Sequence, residues 1–533
     1  MEVITMKKEY ENKQVYFVGG GLASLAGAAF LVRDCDFPGE NIHILESMNI
    51  LGGSNDGAGD PSDGFIARGG RMLNDETYEN TWDLLSSIPS LEHEGMSVRD
   101  EIIEFDNANP THANARLIDK DGVIQDVMSM GFNNEDRMAL LKLIVTPEEK
   151  IDNIRICDWF ASTPHFFETN FWYMWQTTFA FQKWSSLIEF KRYMLRMILE
   201  FSRIQTLEGV TRTPYNQYES IILPIKDYLD KAHVDFSLKC TVTDLDFKDD
   251  DSITVTAIHY EKDGKADILK LNEGDLVLVT NGCMTDSASI GSTYKAPEML
   301  GKGPSAILWQ NIAAKKPGLG NPEPFFGNPE LSNWESFTVT CKGSKLLNRI
   351  EAYTRNKPGS GALVTFKDSS WLMSIVVAAQ PHFKNQPKDT TILWGYGLYT
   401  NNIGDYVKKP MSECTGEELL YELIHHLHFE DDLDELMENT IVIPCMMPYI
   451  DSQFQPRAKK DRPEVVPKGS TNLAMIGQFC EIPEDMVFTE EYSVRSARIA
   501  VYKLLGLNKP IAPVTPHQYD IRVLLKALNT SFR

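Results

Sequence analysis

The residues whose types and spacing point most directly to chemistry are the three glycines of VGGGLAS (18–24), the acid Glu46 and the run Arg68-Gly69-Gly70-Arg71. Gly19 permits a tight turn, and Gly21 lets the backbone approach a pyrophosphate. The N-terminus of the helix that follows then stabilises the phosphate charge. Glu46 closes the next strand, where an acid accepts hydrogen bonds from a ribose. Ser24 stands where a third glycine is usual, and it is still small enough for close helix–sheet packing. Leu51-Gly52-Gly53-Ser54 follows the acid closely. Small residues there, then an Arg-Gly-Gly, suit FAD folded against its own domain better than NAD. Arg68 is expected to face the pyrophosphate or the ribityl chain. Gly53, Ser54, Gly69 and Gly70 are expected beside it, with Leu22 and Ala23 in the helix's first turn. Val242 and Asn281, on later strands, complete the expected FAD contacts.

These residues need a strand–turn–helix–strand unit to position them. VYFVGGG (15–21) reads as a strand and glycine turn, LASLAGAAFLVR (22–33) as a helix, and IHILE (42–46) as a second strand. DLVLVTN (275–281) reads as a buried strand returning to the same sheet. LAMIG (473–477) and a helix from Thr489 to Leu505 read as the closing elements. The expected fold is therefore α/β: a discontinuous Rossmann-like FAD-binding domain, a β-rich or mixed substrate domain, and helical lobes. The expected FAD-binding parts are 1–150, 211–295 (with a β insert) and 456–510. An aromatic-rich helical lobe is expected over 151–210, a substrate domain over 296–455, and an amphipathic C-terminal segment over 511–533.

Composition narrows the function classes. The 533 residues carry 52 Lys+Arg against 75 Asp+Glu, a formal charge of −23, which argues against nucleic acid as a partner. Hydrophobic residues at 42% and charged residues at 24% fit a globular chain with a large core. The eight cysteines include no CxxC pair, so reduced thiols in the cytoplasm are expected. No apolar run reaches the length of a spanning helix. The segment IRVLLKALNTSFR (521–533) is basic with apolar residues at helical spacing. It reads either as a docking helix or as an amphipathic helix touching the inner face of a membrane.

Residues 150–208 read as a nearly continuous helical region, crowded with Trp172, Tyr173, Trp175, Phe179, Phe181 and Trp184. Such a stripe suits a packed core or the wall of an apolar tunnel. His425, His426 and His428 lack an acidic partner at ligand spacing. A surface helix is expected there, and no metal site.

Three stretches together resemble the oleate hydratase family, also called myosin-cross-reactive antigens. They are 18–71, NFWYMWQTTFAFQKWSSLIEFKRYMLR (170–196) and IGQFCEIPEDMVFTEEYSVRSA (476–497). Echoes such as YNQYES (215–220) and WGYGLY (394–399) extend the resemblance over nearly the whole chain. It implies an FAD-containing hydro-lyase adding water to a cis double bond of a long-chain unsaturated fatty acid, oleate, linoleate or a relative, without net redox. It also implies a homodimer. The family's proton donor falls on Tyr193, with Arg192 or Arg196 beside it to stabilise a phenolate. Trp172, Trp175 and Phe179 fall on the acyl tunnel, and Thr400 and Asn402 on the carboxylate site. Most members have glutamate directly after Arg-Gly-Gly-Arg, where this chain has Met72. Methionine cannot take a proton from water. Glu76 is the expected substitute base, with Asp75 and Glu79 as alternatives. A flavin-dependent double-bond isomerase or oxidoreductase, or a lipid-binding flavoprotein with hydration impaired at Met72, are the other readings.

Overall fold

The computed structural model describes residues 10–55, 57–69, 72–360 and 363–533. Its first sheet has five parallel strands, in the order Leu473–Ile476, Leu276–Thr280, Val15–Val18, Ile42–Leu45 and Asp235–Ser237. Parallel strands covered on both faces must be apolar throughout, and Val15–Val18 and Leu473–Ile476 are buried at every position. The Rossmann-like sheet is thus discontinuous, drawing strands from the beginning, middle and end of the chain. Helix Leu22–Cys35 lies against the sheet at Gly27, where a Cβ would stand 2.6 Å from the Phe17 ring. Helix Glu490–Leu504 packs on Leu22–Cys35. Strands Cys240–Phe247, Val255–Lys262 and Lys265–Lys270 form a separate antiparallel sheet inserted before Leu276–Thr280.

A seven-stranded mixed sheet forms the second layer, ordered Ser289–Ile290, Thr440–Met447, Trp334–Lys342, Thr390–Gly397, Met373–Val376, Leu363–Phe366 and Leu117–Ile118. Side chains alternate across it. Phe337, Val339 and Cys341 enter a second core with helices Lys345–Thr354 and Gly416–His426. Ser336, Thr338 and Thr340 point the other way. They hydrogen-bond the backbone of Arg68, Ala67 and Phe65, at 3.2, 2.9 and 2.9 Å. This clamps the hairpin Gly57–Asp60/Gly64–Ala67 between the two layers. Gly395 is required opposite Phe337, whose ring would lie 2.4 Å from a Cβ there. By strand alternation its neighbours Trp394 and Tyr396 face the opposite side, where they line the interlayer cavity.

Residues 150–208, expected as a nearly continuous helical region, are a succession of short helices and turns. They form Ile156–Trp159, a 3-10 turn Pro164–Glu168, then Asn170–Phe179, Leu187–Arg196 and Ile198–Phe201. Ala180, at φ 59, ends the third of these. No described helix is long and apolar enough to cross a membrane. The histidine helix also departs from a plain surface helix. His426 is buried, and its Nε2 lies 3.4 Å from Glu422 and 3.5 Å from Asp405. Glu422 is the acidic partner on the same face. Its carboxylate accepts the N–H groups of Asp405, Tyr406 and Val407 at 2.7, 2.9 and 2.7 Å, so it holds a loop in place.

Candidate active site

The glycine turn builds one end of a long cleft. Gly19 (φ 97) and Gly53 (φ 59) adopt left-handed conformations that favour glycine. The two glycine turns touch: a Cβ on Gly53 would sit 3.2 Å from the Gly21 Cα. Among the described residues no side chain caps helix Leu22–Cys35, so its first-turn N–H groups remain available to an anion. Glu46 is buried, and its carboxylate accepts Gly20 N–H at 2.5 Å and Met48 N–H at 2.7 Å. One cavity is lined by Glu46, Val242, Gly19, Gly21 and Arg68. Arg68 reaches from the Thr285 carbonyl (3.0 Å) to the Gly53 carbonyl (2.5 Å). A second cavity, lined by Leu22, Ala23, Gly53 and Ser54, shares Gly21, Gly53 and Thr280 with the first. It ends at Phe488, Thr489 and Glu490.

Those same three residues border a third, largely apolar cavity between the layers. Tyr193, Tyr78, Phe179, Trp334, Trp394 and Tyr396 supply its rings, and Gly69 and Met72 also line it. The Tyr193 hydroxyl donates to the Val487 carbonyl at 2.7 Å, and the Phe181 and Phe179 rings stand 5.0 and 5.2 Å away. Burial, then the neighbouring Tyr78, holds its phenol well above the usual tyrosine range, so the proton stays on. The indole N–H groups of Trp334 and Trp394 are buried and make no hydrogen bond among the described residues, so each can donate to a bound polar group.

A fourth, more polar chamber shares Gly69, Val376 and Trp394 with the third. Arg212, Thr213, Asn216, Gln217 and His382 line it. Burial lowers the Arg212 pKa to about 10. Burial, then the Arg212 charge, pushes the His382 imidazole down to about 4. The sequence reading missed this chamber.

Several expected site residues stand elsewhere. Glu76 is 40% exposed and pairs with Arg203 outside the cavity. Asp75 is exposed, and Glu79 is held by Arg196, Arg495 and the Thr515 N–H. The chain turns outward there because Glu76 N–H and the Thr77 hydroxyl both bond the Asn74 side chain. Trp172 and Trp175 face away from the cavity into an aromatic core with Phe166, Phe167 and Phe171. Only Phe179 of the expected tunnel residues lines it. Thr400 is buried against Asn333, and Asn402 donates to the Ser370 carbonyl at 2.8 Å, both away from the four cavities. Leu398 and Tyr399 N–H groups bond the Trp371 carbonyl, which carries the chain off the end of the strand. Arg192 pairs with Glu148 and Glu481, and Arg196 with Glu79 and Asp485, so neither faces the Tyr193 hydroxyl. Asn281 sits behind the cleft, donating to the Phe479 carbonyl at 3.1 Å. Gly70 and Arg71 lie outside the described residues.

Fold and site together define an α/β protein with a discontinuous Rossmann-like sheet and an aromatic cavity adjoining its glycine-lined cleft. Residues 12–502 match the MCRA family, and the chain belongs to that family. It is 40% identical over 566 residues to a linoleate hydratase of Lactiplantibacillus plantarum, covering 98% of this chain and 99% of that protein. It is also 40% identical over 529 residues to an oleate hydratase of Streptococcus pyogenes serotype M49 (strain NZ131), covering 97% and 89%. The resemblance carried by the motifs is upheld. In fold it is similar to a cyclohexylamine oxidase from Brevibacterium oxydans IH-35A, with TM-score 0.55 and 11% identity over 93% of this chain and 99% of that one. An oxidoreductase from Methanosarcina mazei gives TM-score 0.50 and 12% identity over 92% and 100%.

Proposed function

We propose that the protein is an FAD-containing hydratase that adds water to a cis double bond of a long-chain unsaturated fatty acid. The observation that carries this is the series of adjoining cavities with shared walls, from the glycine-lined cleft through the aromatic cavity to the Arg212–His382 chamber. The two hydratase relatives point the same way. The uncapped helix N-terminus, the paired glycine turns and Glu46 suit the pyrophosphate and ribose of FAD. Bound there, FAD supplies a polar ring system that shapes and polarises the site without net redox.

The residues of the chain do the rest. An acyl chain suits the apolar cavity, and its carboxylate suits the chamber, where Arg212 supplies charge-assisted hydrogen bonds. Hydrating an isolated alkene puts positive charge on carbon, and the surrounding ring faces stabilise it. Tyr193 delivers its phenol proton to one alkene carbon while water bonds to the other. With Arg192 and Arg196 engaged elsewhere, the resulting phenolate must be reprotonated quickly. The C-terminal helix Ile521–Ser531 leaves Leu524, Leu525 and Leu528 40–52% exposed. That supports peripheral contact with a lipid surface, where such substrates reside. Loss of liposome binding on removing residues 521–533 is the expected result; unchanged binding discards that contact.

Incubation with oleate and linoleate in the presence of reduced FAD should give products heavier by one water in mass spectrometry. No hydroxy acid from any unsaturated long-chain substrate refutes the reading, and anaerobic bleaching of the flavin by substrate favours an oxidoreductase instead. Tyr193→Phe should abolish turnover while FAD stays bound; an active variant overturns the proton-donor role.

A further inference from the structure

Hydration needs a group that accepts the proton water loses as its oxygen bonds to carbon. Met72 lines the aromatic cavity and cannot do this; Glu76, Asp75 and Glu79 lie outside it. Among the described residues, the acids on that wall are Glu200 and Glu490. Glu490 also borders the cofactor cleft and accepts the Asn55 amide at 2.6 Å. Glu200 belongs to the acyl side alone.

Tyr193, Met197 and Glu200 recur at helical spacing across Leu187–Arg196 and Ile198–Phe201, so they share a face, and all three line the cavity. Glu200 is 3% exposed. Its Oε1 accepts Asn74 Nδ2 at 2.9 Å and Arg203 at 2.5 Å, which fixes the carboxylate, while its Oε2 is buried with no hydrogen bond. A carboxylate held by one oxygen, with the other unengaged, on a residue that lines the same cavity as a phenol, can serve as a general base.

We propose that Glu200 takes the proton from the attacking water. The inference rests on the hydratase reading above. The Tyr193 O–H bond breaks and its proton forms a C–H bond. The alkene π pair is consumed, the water oxygen forms the C–O bond, and the water's proton passes to Glu200 Oε2. Transfer of that proton back to the Tyr193 phenolate restores both groups, so one alkene and one water give one alcohol. The charged groups around Glu200 are Arg203, which favours its ionised form, and Glu76, which opposes it. Burial is the largest influence and raises its pKa above the usual carboxylate value. Activity should therefore fall on acidification earlier than an ordinary glutamate would dictate.

The test compares wild type and Glu200→Gln as holoproteins turning over oleate across a pH series. Expected are a kcat lower by about 10²-fold or more, retained flavin absorbance, a KM within a few-fold, and loss of the acid limb of the kcat profile. A merely structural glutamate would leave that limb in place. A folded Glu200→Gln enzyme with near wild-type kcat and an intact limb overturns the assignment, as does a limb that vanishes in Glu490→Gln instead. Should Glu200→Gln fail to fold, Glu200→Asp decides: a reduced kcat with a displaced limb supports the role, and an unmoved limb refutes it. A wild type that hydrates nothing ends the hydratase reading itself; an active wild type with an indifferent Glu200 ends only this inference.

Discussion

Acid should loosen the Arg212–His382 chamber in a way one imidazole controls. His382 holds its proton only below about pH 4 in the folded chain, whereas an unfolded histidine titrates near about 6.5. Between those values the unfolded chain binds the extra proton and the folded chain does not. The stabilisation is therefore complete above about pH 6.5 and is lost as pH falls toward about 4. The gap between about 6.5 and about 4 is worth at most about 3.4 kcal/mol. His382 is only partly buried, so solvent screening lowers the realised figure to about 1–2 kcal/mol. Urea unfolding of wild type and His382→Gln at pH 7.5 and pH 5 reads it as a double difference. The variant should lose about 1–2 kcal/mol less on acidification, and equal losses refute the account. A carboxylate entering the chamber should partly offset the Arg212 charge and raise the imidazole pKa. Binding of a saturated fatty acid at pH 5 should then take up protons, seen by calorimetry in buffers of different ionisation enthalpy. Binding without proton uptake would place the carboxylate elsewhere.

Other consequences test separate parts of the structure. Arg212→Leu removes a charge-assisted contact worth about 1.5–3 kcal/mol, so KM for oleate should rise about 10–100-fold with a smaller change in kcat. Glu46→Ala leaves the Gly20 and Met48 N–H groups without their carboxylate, and flavin should be lost on gel filtration where wild type keeps it. Gly27→Val drives a side chain into Phe17, and overpacking of about 1–3 kcal/mol should lower the melting temperature and loosen the cofactor together.

The half of the molecule built on the parallel sheet is legible in sequence because its determinants are local. A glycine turn, a helix of small residues and an acid two strands' length away report their own geometry, and Gly21, Glu46 and Val242 all line the cleft. The late strand Leu473–Ile476 is legible for the same reason, being short, apolar and bounded by glycine. The aromatic cavity and the chamber beside it are assembled from distant segments. Arg212 and His382 meet only because the seven-stranded sheet folds the 376–382 segment back over the loop at 212–217, and no spacing rule announces that. The aromatic stripe misled because Trp and Phe have the same pattern whether they pack a core or line a cavity. The break at Ala180 and the turn into Leu187–Arg196 decide which rings face which way.

The disputed base shows where the chemical constraint acts. Read along the chain, Met72 removes the glutamate the family resemblance leads one to expect, and the nearest acids look like its replacements. In three dimensions those acids turn outward, and Glu76 instead grips Arg203, which in turn holds Glu200. Met72 and Glu200 line one cavity from different segments. A proton acceptor is required at a volume beside the alkene, and any element that reaches that volume can supply it. The nearest acids in sequence are therefore the wrong place to look when the loop carrying them is pinned by Asn74. The short helix Ile198–Phe201, which follows the one carrying Tyr193, places a carboxylate on the wall of the same cavity.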